Sequence, residues 1–348
     1  MGLRVYLDWN ATAPLRPEAK AAMAAAMELV GNPSSVHAEG RAAKALMERA
    51  RAQVASALGA GAADVVFVSG ATEAAALACA GRGLVCAGIE HEAVSAWCDV
   101  SLAVDGLGRV AVADPGCTAL QMANSETGVI QDLPEGLAVC DLTQAFGKVP
   151  FAFDWLGCAV GFVSAHKIGG PKGVGALVIR RGLDLEARLK GGGQEMGRRA
   201  GTENLIGIAG FGAAAEAAAR DLADGVWEPV EQLRNILELA LSRDGEGTIS
   251  VGKAARRLPN TLCLVTSGWK GETQVMQMDL AGFAVSAGSA CSSGKVRASR
   301  VLTAMGFDEV AAASALRLSL GPEVAEADAM RFAEAWVAAR ERFRARAA

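Results

Sequence analysis

Ala159-Val160-Gly161-Phe162-Val163-Ser164-Ala165-His166-Lys167-Ile168-Gly169-Gly170-Pro171-Lys172-Gly173 is the stretch on which the fold turns. Its first five residues are apolar and read as a buried strand. A hydroxyl, an imidazole and an amine follow at the strand's carboxyl end, the edge of an α/β sheet where ligands collect. An amine so placed suits a Schiff base with a phosphorylated aldehyde. The glycine-rich continuation lacks the Gly-Lys-Ser/Thr ending of a nucleotide-binding phosphate loop, so nucleotide binding carries little weight.

Short β-rich runs alternate with helical or loop segments on both sides: Val65-Val68, Leu84-Ala87, Ala119-Ala123, Leu137-Cys140 and Gly175-Ile179. Helices are predicted over Pro17 to Val30, over Val36 to Leu58 with Ser34 or Ser35 as cap, up to about Asp224, and over Glu228 to Ser242. Beyond Asp244-Gly245-Glu246-Gly247, strands such as Thr261-Val265 and Ala284-Ser286 precede a helix over Ala327 to Ala345. The pattern predicts an α/β protein: a large domain with a mostly parallel sheet flanked by helices, and a smaller C-terminal α/β domain. The expected division is an N-terminal segment 1–15 joining the small domain, a large domain 16–244 and a small domain 245–348.

A chain of 348 residues, 51% of them hydrophobic, can bury a large core. Its net charge of -4 shows no basic excess, so no nucleic-acid partner is expected. The longest apolar run, Leu205 to Ala215, stops well short of a membrane span. With an early acid at Asp8 and no signal-peptide core, a cytoplasmic location is expected. The eight cysteines never form a C-x-x-C pair, which argues against zinc ribbons and a disulfide framework, and no metal site is expected. Seven read as buried small hydrophobes. Cys291 stands apart in Ser286-Ala287-Gly288-Ser289-Ala290-Cys291-Ser292-Ser293-Gly294, a composition that can expose a thiol.

The residues just after each β-run form a consistent polar set. They are Ser69-Gly70-Ala71-Thr72-Glu73, a helix entry suited to phosphate; Glu90-His91-Glu92; Asn124-Ser125-Glu126-Thr127-Gly128; Asp141-Leu142-Thr143-Gln144; and Ser164 to Lys167. Together with Asp8-x-x-Ala11-Thr12-x-Pro14, Asn32-Pro33-Ser34-Ser35-x-His37, Gly191-Gly192-Gly193-Gln194-Glu195-x-Gly197-x-Arg199-x-Gly201-Thr202, Ser289-Ala290-Cys291-Ser292 and Leu316-Arg317-Leu318-Ser319, this set resembles the cysteine desulfurases. Those are pyridoxal-phosphate enzymes of fold type I in the class V aminotransferase group. The resemblance covers nearly the whole chain, in order.

It implies that Lys167 carries pyridoxal 5'-phosphate, that Asp141 pairs with the pyridine nitrogen, that Gln144 bonds the ring hydroxyl, and that His91 stacks on the ring and moves protons. Ala71, Thr72, Ser164 and His166 would hold the phosphate, with Thr202 reaching it from a second protomer of a homodimer. Asn124 and Arg317 would bind the carboxylate of L-cysteine. Cys291 would take the sulfur as a persulfide, leaving alanine, and pass it to a sulfur-acceptor protein for iron-sulfur cluster or thio-cofactor synthesis. Rival readings are a selenocysteine lyase or cysteine β-lyase on the same fold, and a catalytically degenerate scaffold subunit. Taken singly, Lys167 would read as a surface amine, Asp141 as a turn cap, Arg317 as structural and His37 as a helix cap. Only Val129 to Cys140 separate Gly128 from Asp141, too few for a full crossover helix. Part of one sheet face is therefore expected to be covered by something else, such as a partner chain.

Overall fold

A computed structural model describes residues 4–242, 247–288 and 298–347. Strand β1 (Val5–Tyr6) precedes helices α1 (Pro17–Met27) and α2 (Ala38–Leu58). Pro17 opens α1, where its missing N–H would have had no partner. Gly59, at φ 60°, closes α2 in the left-handed conformation. The α2 cap is neither Ser34 nor Ser35. His37 takes that place, its Nδ1 accepting from the Gly40 N–H at 3.3 Å, because the extended turn through Asn32 to Val36 delays helix entry.

Next come β2 (Ala63–Val68), α3 (Ala71–Cys79), β3 (Val85–Ala87), α4 (Glu92–Ser95), β4 (Asp99–Leu102), β5 (Ala119–Gln121), β6 (Val139–Asp141), β7 (Val160–Ser164) and β8 (Gly175–Arg180). The main sheet has the order β2-β8-β7-β6-β5, in which only β8 runs against the rest. A parallel bridge from Val85 to Thr118 adds the β3-β4 pair at the β5 edge. Apart from Asp64 in β2 and the polar residues that end β5 to β8, the strands of the main sheet are apolar because both faces are covered. On one face Phe67, Leu120 and Val163 pack with Val54 and Leu58 of α2 and with Phe211 of α5 (Leu205–Ala223). On the other, Phe162 and Leu177 meet Leu77 and Cys79 of α3. Helix α5 lies close to α2 because Gly212 has no Cβ; one added there would stand 2.8 Å from the Ala50 Cα.

No helix stands between β5 and β6, as their short spacing demands. Val110, Val112 and Leu133 pack on the core there, so the chain's own extended segments supply part of the cover assigned above to something else.

The remainder comprises α6 (Trp227–Leu241), β9 (Thr248–Ser250), β10 (Thr261–Thr266), α7 (Gly271–Leu280), β11 (Phe283–Ala284), β12 (Ser286–Ala287), α8 (Arg300–Ala304), α9 (Glu309–Ala312), β13 (Ala315–Ser319) and α10 (Glu326–Ala347). An antiparallel sheet, β12-β13-β10-β9, packs against α6, α7 and α10. The strand expected over Ala284-Ser286 is broken: β11 pairs with β1 and β12 with β13. That split draws Leu7 and Trp9 into a cluster with Trp269, Phe332 and Trp336. The proposed boundary at Asp244-Gly245-Glu246 lies outside the described residues.

Of the seven cysteines read as buried, five are: Cys79, Cys86, Cys140, Cys158 and Cys263. Cys98 is only partly covered, and Cys117, closing a 3-10 turn ahead of β5, is exposed. No helix among the described residues is long and apolar enough to cross a membrane.

Candidate active site

The carboxyl ends of β2, β6 and β7, the residues after β3, and Arg317 from the middle of β13 surround one cavity of about 570 Å³. Residues Asn10 to Thr12 close one side of it. Nine sequence-predicted residues line it: Ala71, Thr72, His91, Asp141, Gln144, Ser164, His166, Lys167 and Arg317.

At one end, α3 begins after Gly70 without a side-chain cap, so the free N–H groups of its first turn are open to an anion. Close backbone packing sets that entry. A Cβ on Gly175 would lie 2.9 Å from the Gly70 Cα and 2.6 Å from the Val163 carbonyl oxygen. Ser164, His166 and Lys172 add polar and cationic groups to the lining. Burial, and then the charges of Lys167, Lys172 and Lys148, depress His166 to about 4, which leaves its ring neutral near pH 7.

Asp141 ends β6, its Oδ1 accepting the Thr143 N–H at 2.8 Å. Burial raises its pKa, and the Thr143 hydrogen bonds and the nearby His91 and Lys167 hold the rise back. Close by, Glu90 is fully enclosed and burial pushes it well above the carboxylate range. Burial thus pushes Glu90 the further of the two, while Asp141 keeps the hydrogen bonds and neighbouring cations that favour its charged form. His91 caps α4 by accepting the Ala93 N–H on Nδ1 at 3.1 Å, which puts the proton of a neutral ring on Nε2.

Lys167 Nζ donates to the carbonyl oxygens of Asn10 at 2.6 Å and Ala11 at 2.9 Å. Gln144 Nε2 donates to the same Asn10 carbonyl at 3.0 Å. Arg317, only 4% exposed, donates to Asp8 Oδ1 at 2.6 Å and to the Ser125 carbonyl at 3.1 Å. Its buried Nε has no hydrogen-bond partner among the described residues.

Two expected residues are not brought to the cavity. Asn124 Oδ1 accepts the N–H groups of Glu126 and Thr127, at 2.9 and 2.8 Å, while its Nδ2 donates to the Ile89 carbonyl, so the side chain shapes its own turn. Thr202 lines a separate depression of about 70 Å³ that shares Ser69 and Gly173 with the main cavity. Cys291 lies outside the described residues. The strand leading towards it, β12, pairs Ser286 with Arg317, and Ser299 beyond it donates to Glu126 Oε2 at 2.5 Å. Sequence reasoning missed Asn10 and Lys148, and placed Ser125 in the polar set without giving it a role. Asn10 falls inside the Asp8 to Pro14 motif, which was a usable signal; a lysine four residues after Gln144 gave none.

The class-V aminotransferase profile matches residues 5–332. A cysteine desulfurase of Frankia sp. (strain EuIK1) is 40% identical over 91% of this chain and 86% of its own length. The chain belongs to the cysteine desulfurase family. A cysteine desulfurase of Cereibacter sphaeroides is likewise 40% identical, over 91% of this chain and 90% of its own length. Among solved structures of the family's fold, a NifS-like protein from Rickettsia africae ESF-5 matches with a TM-score of 0.85 and 30% identity, covering 96% of this chain and 98% of that one.

Proposed function

We propose that this desulfurase-family chain binds pyridoxal 5'-phosphate and converts L-cysteine to L-alanine, leaving the sulfur as a persulfide on Cys291 for an acceptor protein. The observation that carries the reading is the convergence on one cavity of a lysine amine, a buried aspartate with His91 and Lys167 beside it, an uncapped helix entry and a buried arginine.

The donor set fits the cofactor. The open N–H groups of α3, the Thr72 and Ser164 hydroxyls and the His166 ring suit a phosphate. Asp141 suits a protonated ring nitrogen, Gln144 a ring oxygen, and Lys167 the aldehyde carbon. When bound, the cofactor supplies an electron sink for charge developing on the amino acid.

The chain's own groups do the rest. Asp141 holds the ring-nitrogen proton, and Arg317 orients the substrate carboxylate. The His91 Nε2 proton can move to and from the substrate face. The Cys291 thiolate attacks the substrate sulfur; the carbon-sulfur bond breaks as the sulfur-sulfur bond forms, and the substrate carbon takes up a proton. Cysteine and thiol thus become alanine and persulfide, with atoms in balance. Thr202, which lines the depression shared with Ser69 and Gly173, would reach the phosphate of a second protomer in a homodimer.

The test is to supply L-cysteine to the cofactor-loaded protein and measure alanine and enzyme persulfide. Equal amounts of both in the first turnover are expected, with alanine formation lost in Cys291→Ala. Release of pyruvate with free sulfide would instead mark a β-lyase and overturn the reading.

A further inference from the structure

We infer that Lys148 is a positioning residue for the cofactor site, acting through the Gln144 amide; the inference rests on the pyridoxal phosphate reading. Lys148 is 2% exposed and sits on the far side of Gln144 from the cavity, since it is absent from the lining that Gln144 helps to form. Its Nζ donates to Gln144 Oε1 at 2.9 Å and to Asn10 Oδ1 at 3.2 Å.

The Lys148 amine spends one N–H on Gln144 Oε1 and another on Asn10 Oδ1, which favours the amide orientation that turns Oε1 towards it. Gln144 Nε2 is thereby committed to the other side. One N–H meets the Asn10 carbonyl at 3.0 Å, and the second remains for an acceptor in the cavity. The same Asn10 carbonyl receives Lys167 Nζ at 2.6 Å, so Lys148, Gln144, Asn10 and Lys167 form one connected run. Asn10 is fixed from behind by Asn260 Nδ2, at 3.1 Å on Oδ1, and by its own bond to Thr261 Oγ1 at 2.8 Å.

The two groups hydrogen-bonded to Lys148 are neutral, and burial together with the charges of Lys167 and Arg317 pulls its pKa well below the usual lysine range. A buried amine with no carboxylate on it is costly to keep for stability alone. Its use is directional: without Lys148 only the Asn10 carbonyl holds the amide, and Nε2 is less firmly committed to the side where the ring oxygen needs a donor.

The experiment is a double-mutant cycle on the cofactor dissociation constant, measured by absorbance titration of cofactor-free protein, with Lys148→Met, Gln144→Ala and the double variant. Thermal melting of each cofactor-free variant reports folding, and Lys148→Gln, which keeps an N–H donor, completes the cycle where Met does not fold. Lys148→Met is expected to weaken binding about tenfold, the scale of one lost hydrogen bond. The double variant is expected to bind no more weakly than Gln144→Ala alone. An unchanged constant in Lys148→Met, or losses that multiply in the double variant, overturns the inference while the function stands. Wild-type protein that takes up no pyridoxal phosphate overturns the function itself.

Discussion

Glu126 sits where three segments meet: its own turn, Ser299 at the start of α8, and Gly288, whose added Cβ would lie 3.1 Å from Glu126 Oε2. Burial lifts its pKa to about 7 from 4.5, against the opposing pull of Ser299 and Arg317. Between those two values the folded protein holds a proton that the unfolded chain has released, so stability falls as pH rises through this window. The charged form then costs roughly 3 kcal/mol above the window. Glu126→Gln keeps an acceptor for Ser299 and removes that cost. Its melting temperature is expected to exceed that of wild type at pH 8 and to approach it at pH 5; a difference independent of pH would contradict the assignment.

Among the elements, the loop from Lys190 to Thr202 is held by the ion pairs Arg198–Asp64, Arg199–Glu73 and Arg51–Glu195, of which the last is the most buried. Glu195, left-handed at φ 48°, accepts Arg51 Nη1 at 2.7 Å, Arg51 Nη2 at 2.9 Å and the Phe67 N–H at 2.9 Å. Arg51→Met strands that carboxylate and is expected to cost about 3–5 kcal/mol in denaturant unfolding. Adding Glu195→Gln should recover much of the loss, because no unpaired charge remains; a loss below about 1 kcal/mol for Arg51→Met would show the pair to be incidental. Gly175 acts on the cavity instead. Its Ala variant drives a methyl into the Val163 carbonyl oxygen of β7 as well as the Gly70 backbone, so the melting temperature of the cofactor-free protein should fall and cofactor affinity should fall at least about tenfold. Destabilisation with unchanged affinity would place the strain in the sheet alone. The strand runs were legible because strands covered on both faces are largely apolar. The break at Val285 and the cap at His37 were not, since partner strands and chain direction decide them rather than local composition.

Across the whole molecule, the cavity is completed by segments far apart in the chain. β1 pairs with β11, Asp8 meets Arg317, and Asn10 bonds Lys148, Thr261 and Ser319. Residues that follow a strand, such as Asp141 and Lys167, announce themselves in sequence because the sheet delivers them to one rim. Asn10 and Lys148 do not, because their roles exist only once residues more than a hundred positions apart are brought together. Asn124 shows the converse: a strand-end residue whose side chain is used up by its own turn.

Borohydride reduction of the pyridoxal-phosphate-treated protein, followed by peptide mass mapping, asks which amine holds the cofactor. The tag is expected on the peptide containing Lys167 and absent from Lys167→Ala. A tag on Lys148 or Lys172, or on no lysine, would contradict the account.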